Sequence, residues 1–414
     1  MIRGLDRALL IVVLALATFG LLILYSSEQT DMAMKVSGIW TRQLIWLGVG
    51  TLAAAFAFRT SFRLIDWAAP WIYGLGLFLL VLTIVGFGSG GQGSAASTSS
   101  WLTIAGKRVG QPVELAKLAT ILMLARWLSA RREPPATLRA LFPPITIALV
   151  PALLVLRQPD LGSAVVFAGI LFVMLFWAGV APSLLFLLAS PVISLFLAWS
   201  TALWSVWMVA LFVALILIRP YILEAIAVFL ANSAMGVLAL VVWARLGTGQ
   251  RMRILSFLNP ELYRRGGGYQ AIQSKMAIGS GGWFGSGFTT GPLKRTGFIP
   301  EHWTDFVFAV VGEELGFLGV VVALGLFLSF LLILVRIARR TSDPYASLVV
   351  FGLIGLVLTH LFENVGMTIS LMPITGIPLP FFSYGGSFLL ALFLGIGLAF
   401  RAAAEARASG YVDA

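Results

Sequence analysis

An all-α, polytopic membrane protein is predicted from three features of this 414-residue chain. Apolar residues make up 59%, charged residues only 11%, and apolar runs of about 17–25 residues recur along nearly the whole length. One soluble core cannot bury so much apolar surface, and each run suffices for a helix crossing a bilayer core of ~30 Å. No stretch is left over for a soluble domain, so 1–414 reads as a single transmembrane domain. The absence of cysteine excludes disulfides, thiolate nucleophiles and cysteine metal sites. A net charge of +11 suits basic loops on one membrane face and an anionic lipid substrate. Nucleic-acid binding would need a basic soluble module, which the chain lacks.

Taken in order, Arg3 and Arg7 precede the run Ala8–Leu24, which lacks a small-residue cleavage site and reads as a retained first helix. Further spans are expected at Ile39–Phe58, Ala68–Phe87, Gln111–Leu128, Ala140–Leu156, Gly162–Val180, Ser183–Ala202, Trp204–Ile218, Glu224–Ala244, Asp305–Val335, Tyr345–Met372 and Tyr384–Phe400. That gives about twelve. The stretch 183–218 reads as a helix pair, one long broken helix or a partly interfacial segment. With twelve spans, Arg59, Arg63, Arg126, Arg131, Arg132, Arg219, Arg336, Arg339, Arg340, Arg401 and Arg407 fall on one side, together with both termini. The positive-inside rule makes that side cytoplasmic. Gly88–Ser100 is a Gly/Ser-rich flexible loop, and no internal repeat is evident.

The outward connection 245–305 is the polar centre of the chain. It is basic, with Arg245, Arg251, Arg253, Arg264, Arg265, Lys275, Lys294 and Arg295 against Glu261, Glu301 and Asp305. Its length alone exempts it from the positive-inside rule; an anion site is the other reading. Ile272, Met276, Ile278, Trp283, Phe284 and Phe288 suggest short helices on the membrane surface. At its end stands Asp305, either an N-cap for the following helix or a general base. On a continuous helix, Ala309, Gly312 and Gly316 lie beneath Asp305 as a strip where a helix or lipid chain could approach. Glu313 and Glu314 would lie two turns in, where a charge needs a partner or a wet cavity.

Elsewhere, Glu114 and Lys117 are three apart and can pair structurally or form a functional site. Arg157-Gln158-Pro159-Asp160-Leu161-Gly162 is a tight outward turn. His360, Glu363 and Asn364 share one helical face suited to interhelical hydrogen bonds. The stretch from Pro373 to Ser387 is too broken to span, so it must pack on protein or line a cavity.

Taken together, Gln111-Pro112-x-Glu114-x-x-Lys117, Gln158-Pro159-Asp160-Leu161-Gly162, Tyr269-Gln270-x-x-Gln273-Ser274, Gly279-Ser280-Gly281-Gly282, Pro300-Glu301-x-x-Thr304-Asp305-Phe306, Glu313-Glu314-Leu315-Gly316 and Pro378-Leu379-Pro380-Phe381-x-Ser383-Tyr384-Gly385-Gly386-Ser387 resemble the SEDS family. These are the shape, elongation, division and sporulation proteins, and Gln273 to Gly281 looks like the elongation branch. The resemblance implies a ten-span core, making 183–218 an added helix pair. It further implies a peptidoglycan glycosyltransferase that polymerises lipid II into glycan strands at the outer face of the bacterial cytoplasmic membrane, with a class B penicillin-binding protein as partner. Asp305 matches the family's essential aspartate; Glu114, Lys117, Glu313 and Trp101 match other positions tied to activity. The chain departs from the pattern at Trp303, where histidine is usual and His302 comes one place earlier, at Ser100, where arginine is common, and at Val113, where serine is frequent.

In the expected mechanism, Asp305 deprotonates or orients a sugar hydroxyl that displaces a polyprenyl pyrophosphate with inversion. Lys294, Arg295, Arg157, Lys117 or a divalent cation (Mg or Mn) stabilises the leaving group. Asp160 and Gln273 are expected to support the site. Two other readings stand beside this one: a flippase for the lipid-linked precursor using Glu114, His360 and Glu363, and a non-catalytic scaffold for a partner synthase.

Overall fold

The computed structural model describes residues 5–31, 37–90, 100–104, 107–245, 247–263, 267–299 and 301–408. Arg3, Arg264, Arg265, Pro300 and the 91–99 part of the Gly/Ser-rich loop lie outside them. Twelve long helices occupy the positions of the twelve expected runs. They are α1 (Arg7–Glu28), α2 (Ile39–Arg59), α3 (Phe62–Leu82), α4 (Pro112–Ser129), α5 (Phe142–Arg157), α6 (Leu161–Trp177), α7 (Pro182–Leu197), α8 (Thr201–Ile218), α9 (Ile222–Arg245), α13 (Val307–Arg340), α14 (Pro344–Thr368) and α15 (Gly386–Ala408). Short helices α10 (Thr248–Leu258), α11 (Gly267–Ser280) and α12 (Pro292–Arg295) lie in the long connection. Among the described residues, nine helices are long and apolar enough to cross a membrane. Of the others, α6 and α7 are shorter, and α4 carries Glu114, Lys117 and Arg126. The protein is a polytopic helical membrane protein.

Several helix starts follow from local chemistry. Asp6, Ser61, Asp160 and Asp343 each accept a backbone N–H from the first turn of α1, α3, α6 and α14, and proline stands in the first turn of α4, α5, α7, α12 and α14. The fold is all-α apart from one small element. Residues after α3 form a small antiparallel sheet of β1 (Gly88–Ser89), β2 (Trp101–Ile104) and β3 (Lys107–Gly110). Part of the stretch read as a flexible loop is therefore paired backbone.

At the core, α14 packs against α4, α6 and α13, while α2 lies along α15. Between α14 and α15 the irregular stretch is drawn into this core, with Ile377, Leu379, Phe381 and Phe382 buried. Asp6 accepts from Arg336 (3.0 and 2.9 Å) and Arg407 (2.9 Å), so the start of α1 and the ends of α13 and α15 meet at one end of the bundle. Helices α7 and α8 are separate rather than one broken helix. With α9 they form a subsidiary cluster in which Asn232 donates to Ser190 Oγ (2.8 Å) and Trp204 donates to Ser194 Oγ (2.9 Å).

Helix α13 is not continuous. Its 34 residues would measure about 51 Å at ~1.5 Å per residue, well beyond a ~30 Å bilayer core. At Gly316 the backbone takes φ 62 and ψ −159, a conformation open essentially to glycine alone. Val307 to Glu314 are all buried, and the exposed apolar face begins only at Phe317. Glu313 and Glu314 therefore precede the outward-facing apolar stretch instead of lying two turns inside it.

The Gly-rich segment after α11 seals this break. Ser286 N and Gly287 N donate to the carbonyls of Glu313 and Glu314 (2.9 and 3.0 Å), while Phe317 N and Leu318 N donate to Gly282 and Trp283 (2.8 and 3.2 Å). A Cβ on Gly281 would come 2.0 Å from the Gly312 carbonyl, so close backbone approach requires glycine there. The small-residue strip of α13 is thus covered by α11 and this segment, which overturns the lipid-chain alternative.

Candidate functional site

Asp305 lies in the turn before α13, 6% exposed. It is not the N-cap: Phe306 holds that position, without a side-chain cap. The sequence reading as an N-cap is therefore corrected, because the helix starts one residue later than an Asp305 cap requires. What holds Asp305 is a clamp on three successive carbonyls. Tyr384 N donates to Trp303 O (2.9 Å), Ser383 Oγ donates to Thr304 O, and Asn364 Nδ2 donates to Asp305 O (2.9 Å). Asn364 also donates to Ile377 O (2.8 Å), tying the turn to the irregular stretch. Buried backbone oxygens satisfied from α14 and residues 383–384 fix the register of the turn and hence the origin of the Asp305 side chain.

Beside this clamp lies a buried polar cluster. Lys117 Nζ donates to Glu114 Oε1 (3.0 Å) and Oε2 (3.2 Å), with both side chains essentially excluded from solvent. It also stands 3.2 Å from His360 Nε2. His360 Nδ1 lies 3.0 Å from the carbonyl of Pro378, which can only accept, so Nδ1 carries the hydrogen and Nε2 accepts from Lys117. All three ammonium hydrogens are then committed, which removes Lys117 from the candidates for holding a pyrophosphate. Its role is the ion pair. Asp160 caps α6 through Ser163 N (3.0 Å) and lies within electrostatic reach of both Glu114 and Glu363. Neighbouring Gln158 donates to Thr83 Oγ1 (2.7 Å) and Leu80 O (3.2 Å), so the turn is anchored to α3.

Glu313 and Lys294 belong to a second cluster. Lys294 Nζ donates to Glu314 Oε1 (2.5 Å), Ser26 O (2.8 Å) and Ser26 Oγ (3.0 Å), and both charged side chains are fully buried. Glu313 accepts the backbone N–H groups of Leu293 (2.6 Å) and Lys294 (3.2 Å). Lys294 is thus a structural bolt between α1 and α13, contrary to its expected role at the leaving group. Arg295 pairs on the surface with Asp31 (2.8 Å), and this carboxylate holds its guanidinium above the ordinary value. Nearby His302 faces two carbonyls, Ile299 O and Ser27 O, each at 2.9 Å. Burial pushes its imidazole below the ordinary value, only partly offset by those contacts.

The remaining expected residues stand apart. Arg157 ends α5, exposed and without an ion pair among the described residues. Trp101 is half-buried in β2 with the Arg108 guanidinium 5.9 Å from its ring. Gln273 is half-buried in α11 on an open cleft of about 930 Å³ with Tyr269, Ile272, Lys275 and Met276. The structure thus gathers Glu114, Lys117 and Asp160 beside the Asp305 clamp, sets Glu313, Lys294 and Arg295 in a separate group, and leaves Trp101, Arg157 and Gln273 outside both. Ser26 escaped the sequence reading. Its only signal was a pair of serines closing an apolar run.

Comparison with known proteins agrees with this architecture. The family model described as cell cycle protein, covering FtsW, RodA and SpoVE, matches residues 6–221 and 200–408. The chain is 33% identical to a peptidoglycan glycosyltransferase RodA of Treponema pallidum over 96% of this chain and 98% of that one. It is 30% identical to the peptidoglycan glycosyltransferase MrdB of Escherichia coli, covering 95% and 92%. Among solved structures, a chain from a peptidoglycan synthase complex coordinating polymerisation and crosslinking matches with a TM-score of 0.69 at 29% identity, covering 97% and 98%. The rod shape determining protein RodA of Thermus thermophilus matches with a TM-score of 0.61 at 26% identity, covering 96% of each chain. Matched from residue 6 to 408 by one family model, the chain belongs to the cell cycle protein family of FtsW, RodA and SpoVE.

Proposed function

We propose that this chain is a peptidoglycan glycosyltransferase of the elongation and cell-shape type, polymerising lipid II into glycan strands. The observation that carries the reading is the buried Asp305, with the carbonyls of residues 303–305 clamped in succession, in a chain whose relatives are peptidoglycan glycosyltransferases. A carboxylate held in this way suits a general base that must meet one hydroxyl in one geometry. The acceptor sugar's hydroxyl oxygen attacks the anomeric carbon, its proton passes to Asp305, and the bond to the lipid diphosphate breaks. Inversion needs no covalent nucleophile.

Of the expected cationic groups, Arg157 and Arg295 remain accessible to a diphosphate, whereas Lys117 and Lys294 are consumed by buried carboxylates. For Mg or Mn, no three Asp, Glu or His side chains among the described residues come together as a cage. The described residues thus form no all-protein cage; an ion shared with the diphosphate would need only one or two carboxylates, and no step is assigned to it.

The arginine-bearing helix ends gathered around Asp6 are assigned to the cytoplasmic side of the cytoplasmic membrane, with both termini there and Asp305 on the outer side. The similarity to a chain of a peptidoglycan synthase complex supports a crosslinking partner, a class B penicillin-binding protein. Purified wild-type and Asp305→Asn proteins, each with and without such a partner, test the reading on labelled lipid II. Glycan strands from wild type and about a hundredfold fewer from the variant are expected. Equal strands from both would move the base elsewhere, and none under any condition would favour a flippase or a scaffold.

A further inference from the structure

Glu363, in α14, is 1% exposed, and neither of its carboxyl oxygens has a hydrogen-bond partner among the described residues. The groups that face it explain why. Lys117 has spent its hydrogens on Glu114 and His360, and the one N–H of His360 goes to Pro378. Asp160 offers only further acceptors. Thr375 is a donor beside Glu363, but its hydroxyl falls short of hydrogen-bond geometry to either carboxyl oxygen and also lies 3.8 Å from Met367 Sδ. On the next residue, Asn364 has used both N–H groups on Asp305 and Ile377 and is left with an orphan Oδ1.

Three acceptor oxygens next to the Asp305 clamp thus lack donors, an arrangement that costs stability unless something supplies them. With no convergent set of three acidic or histidine side chains among the described residues, a metal ion does not fit this demand. Neutral O–H and N–H groups do. The segment carrying Thr375, residues 371–375, is irregular and only partly buried, and it lies between the positive-φ residues Ser370 and Gly376.

We propose that Glu363 is a saccharide-binding residue of this site, accepting hydrogen bonds from sugar hydroxyl or N-acetyl amide groups. The inference rests on the glycosyl-transfer reading above and adds a specificity contact that reading does not contain. Asn364 links the two, since it holds the Asp305 carbonyl one residue along the helix from Glu363.

Full-length protein in detergent is titrated with a fluorescent lipid-linked disaccharide and with the same lipid diphosphate lacking sugars. Glu363→Ala should weaken disaccharide binding about tenfold or more while leaving the sugar-free lipid unchanged. Glu363→Gln, which keeps one acceptor oxygen, should fall between the two, and it carries the same test if the alanine variant does not fold. Wild-type affinity for the disaccharide in both variants, or parallel losses for both ligands, overturns the proposal. Failure of the glycosyl-transfer reading looks different: wild type itself would then bind the disaccharide no better than the sugar-free lipid.

Discussion

Replacing Lys294 by methionine separates a structural lysine from a diphosphate-binding one. Its ammonium sits 2.5 Å from Glu314 and within 3.0 Å of two Ser26 oxygens, and both charged side chains are fully buried. Lys294→Met strands the Glu314 carboxylate with the Ser26 hydroxyl alone, at a cost of about 3–5 kcal/mol. Glu314→Gln strands the lysine at comparable cost. The double variant removes both charges and keeps an acceptor for Ser26, so only a neutral hydrogen-bond deficit of about 1–3 kcal/mol remains. The expected coupling is several kcal/mol, because independent effects would sum to about 6–10 kcal/mol. Unfolding titrations in SDS measure these differences, and polymerisation assays on the double variant measure function. Additive costs would refute the buried pair. A double variant with near-native stability and no polymerisation would refute the purely structural role and return Lys294 to the leaving group.

Two further outcomes are expected. Gly316→Ala forces a Cβ to 2.3 Å from Gly285 N at a φ of +62, so it should cost about 3 kcal/mol or more and lower the yield of folded protein. Gly325→Ala, with nothing within 4 Å, should be neutral or stabilising by up to about 1 kcal/mol, and equal effects at the two sites would contradict the break in α13. His302 has a lowered folded value, so the unfolded chain takes up its proton first. Its contribution to stability is complete above the ordinary value of about 6.5 and is lost as pH falls below it. The unfolding midpoint should therefore drop between about pH 7.5 and 5.5 more in wild type than in His302→Asn; identical profiles would exclude His302 as the cause.

Composition and period by themselves determined the membrane-spanning helical class, the position of each long helix and many helix starts, because an apolar run in lipid has no alternative to helical hydrogen bonding. Local motifs also marked Asp305, the Glu114–Lys117 pair and the acceptor-rich face of α14. Nothing local could tell that Lys294, in a basic outer loop, would be drawn under cover by Glu314 and Ser26, residues 20 and 268 positions away. Nor could it tell that Lys117 would be saturated by His360, or that Asp305 would be held through its carbonyl rather than acting as a cap. The helical period is a property of one segment, whereas the availability of a charge depends on which distant groups reach it first. Only the packing of α1, α4, α13 and α14 decided that, by consuming some of the basic residues and leaving Glu363 without a donor.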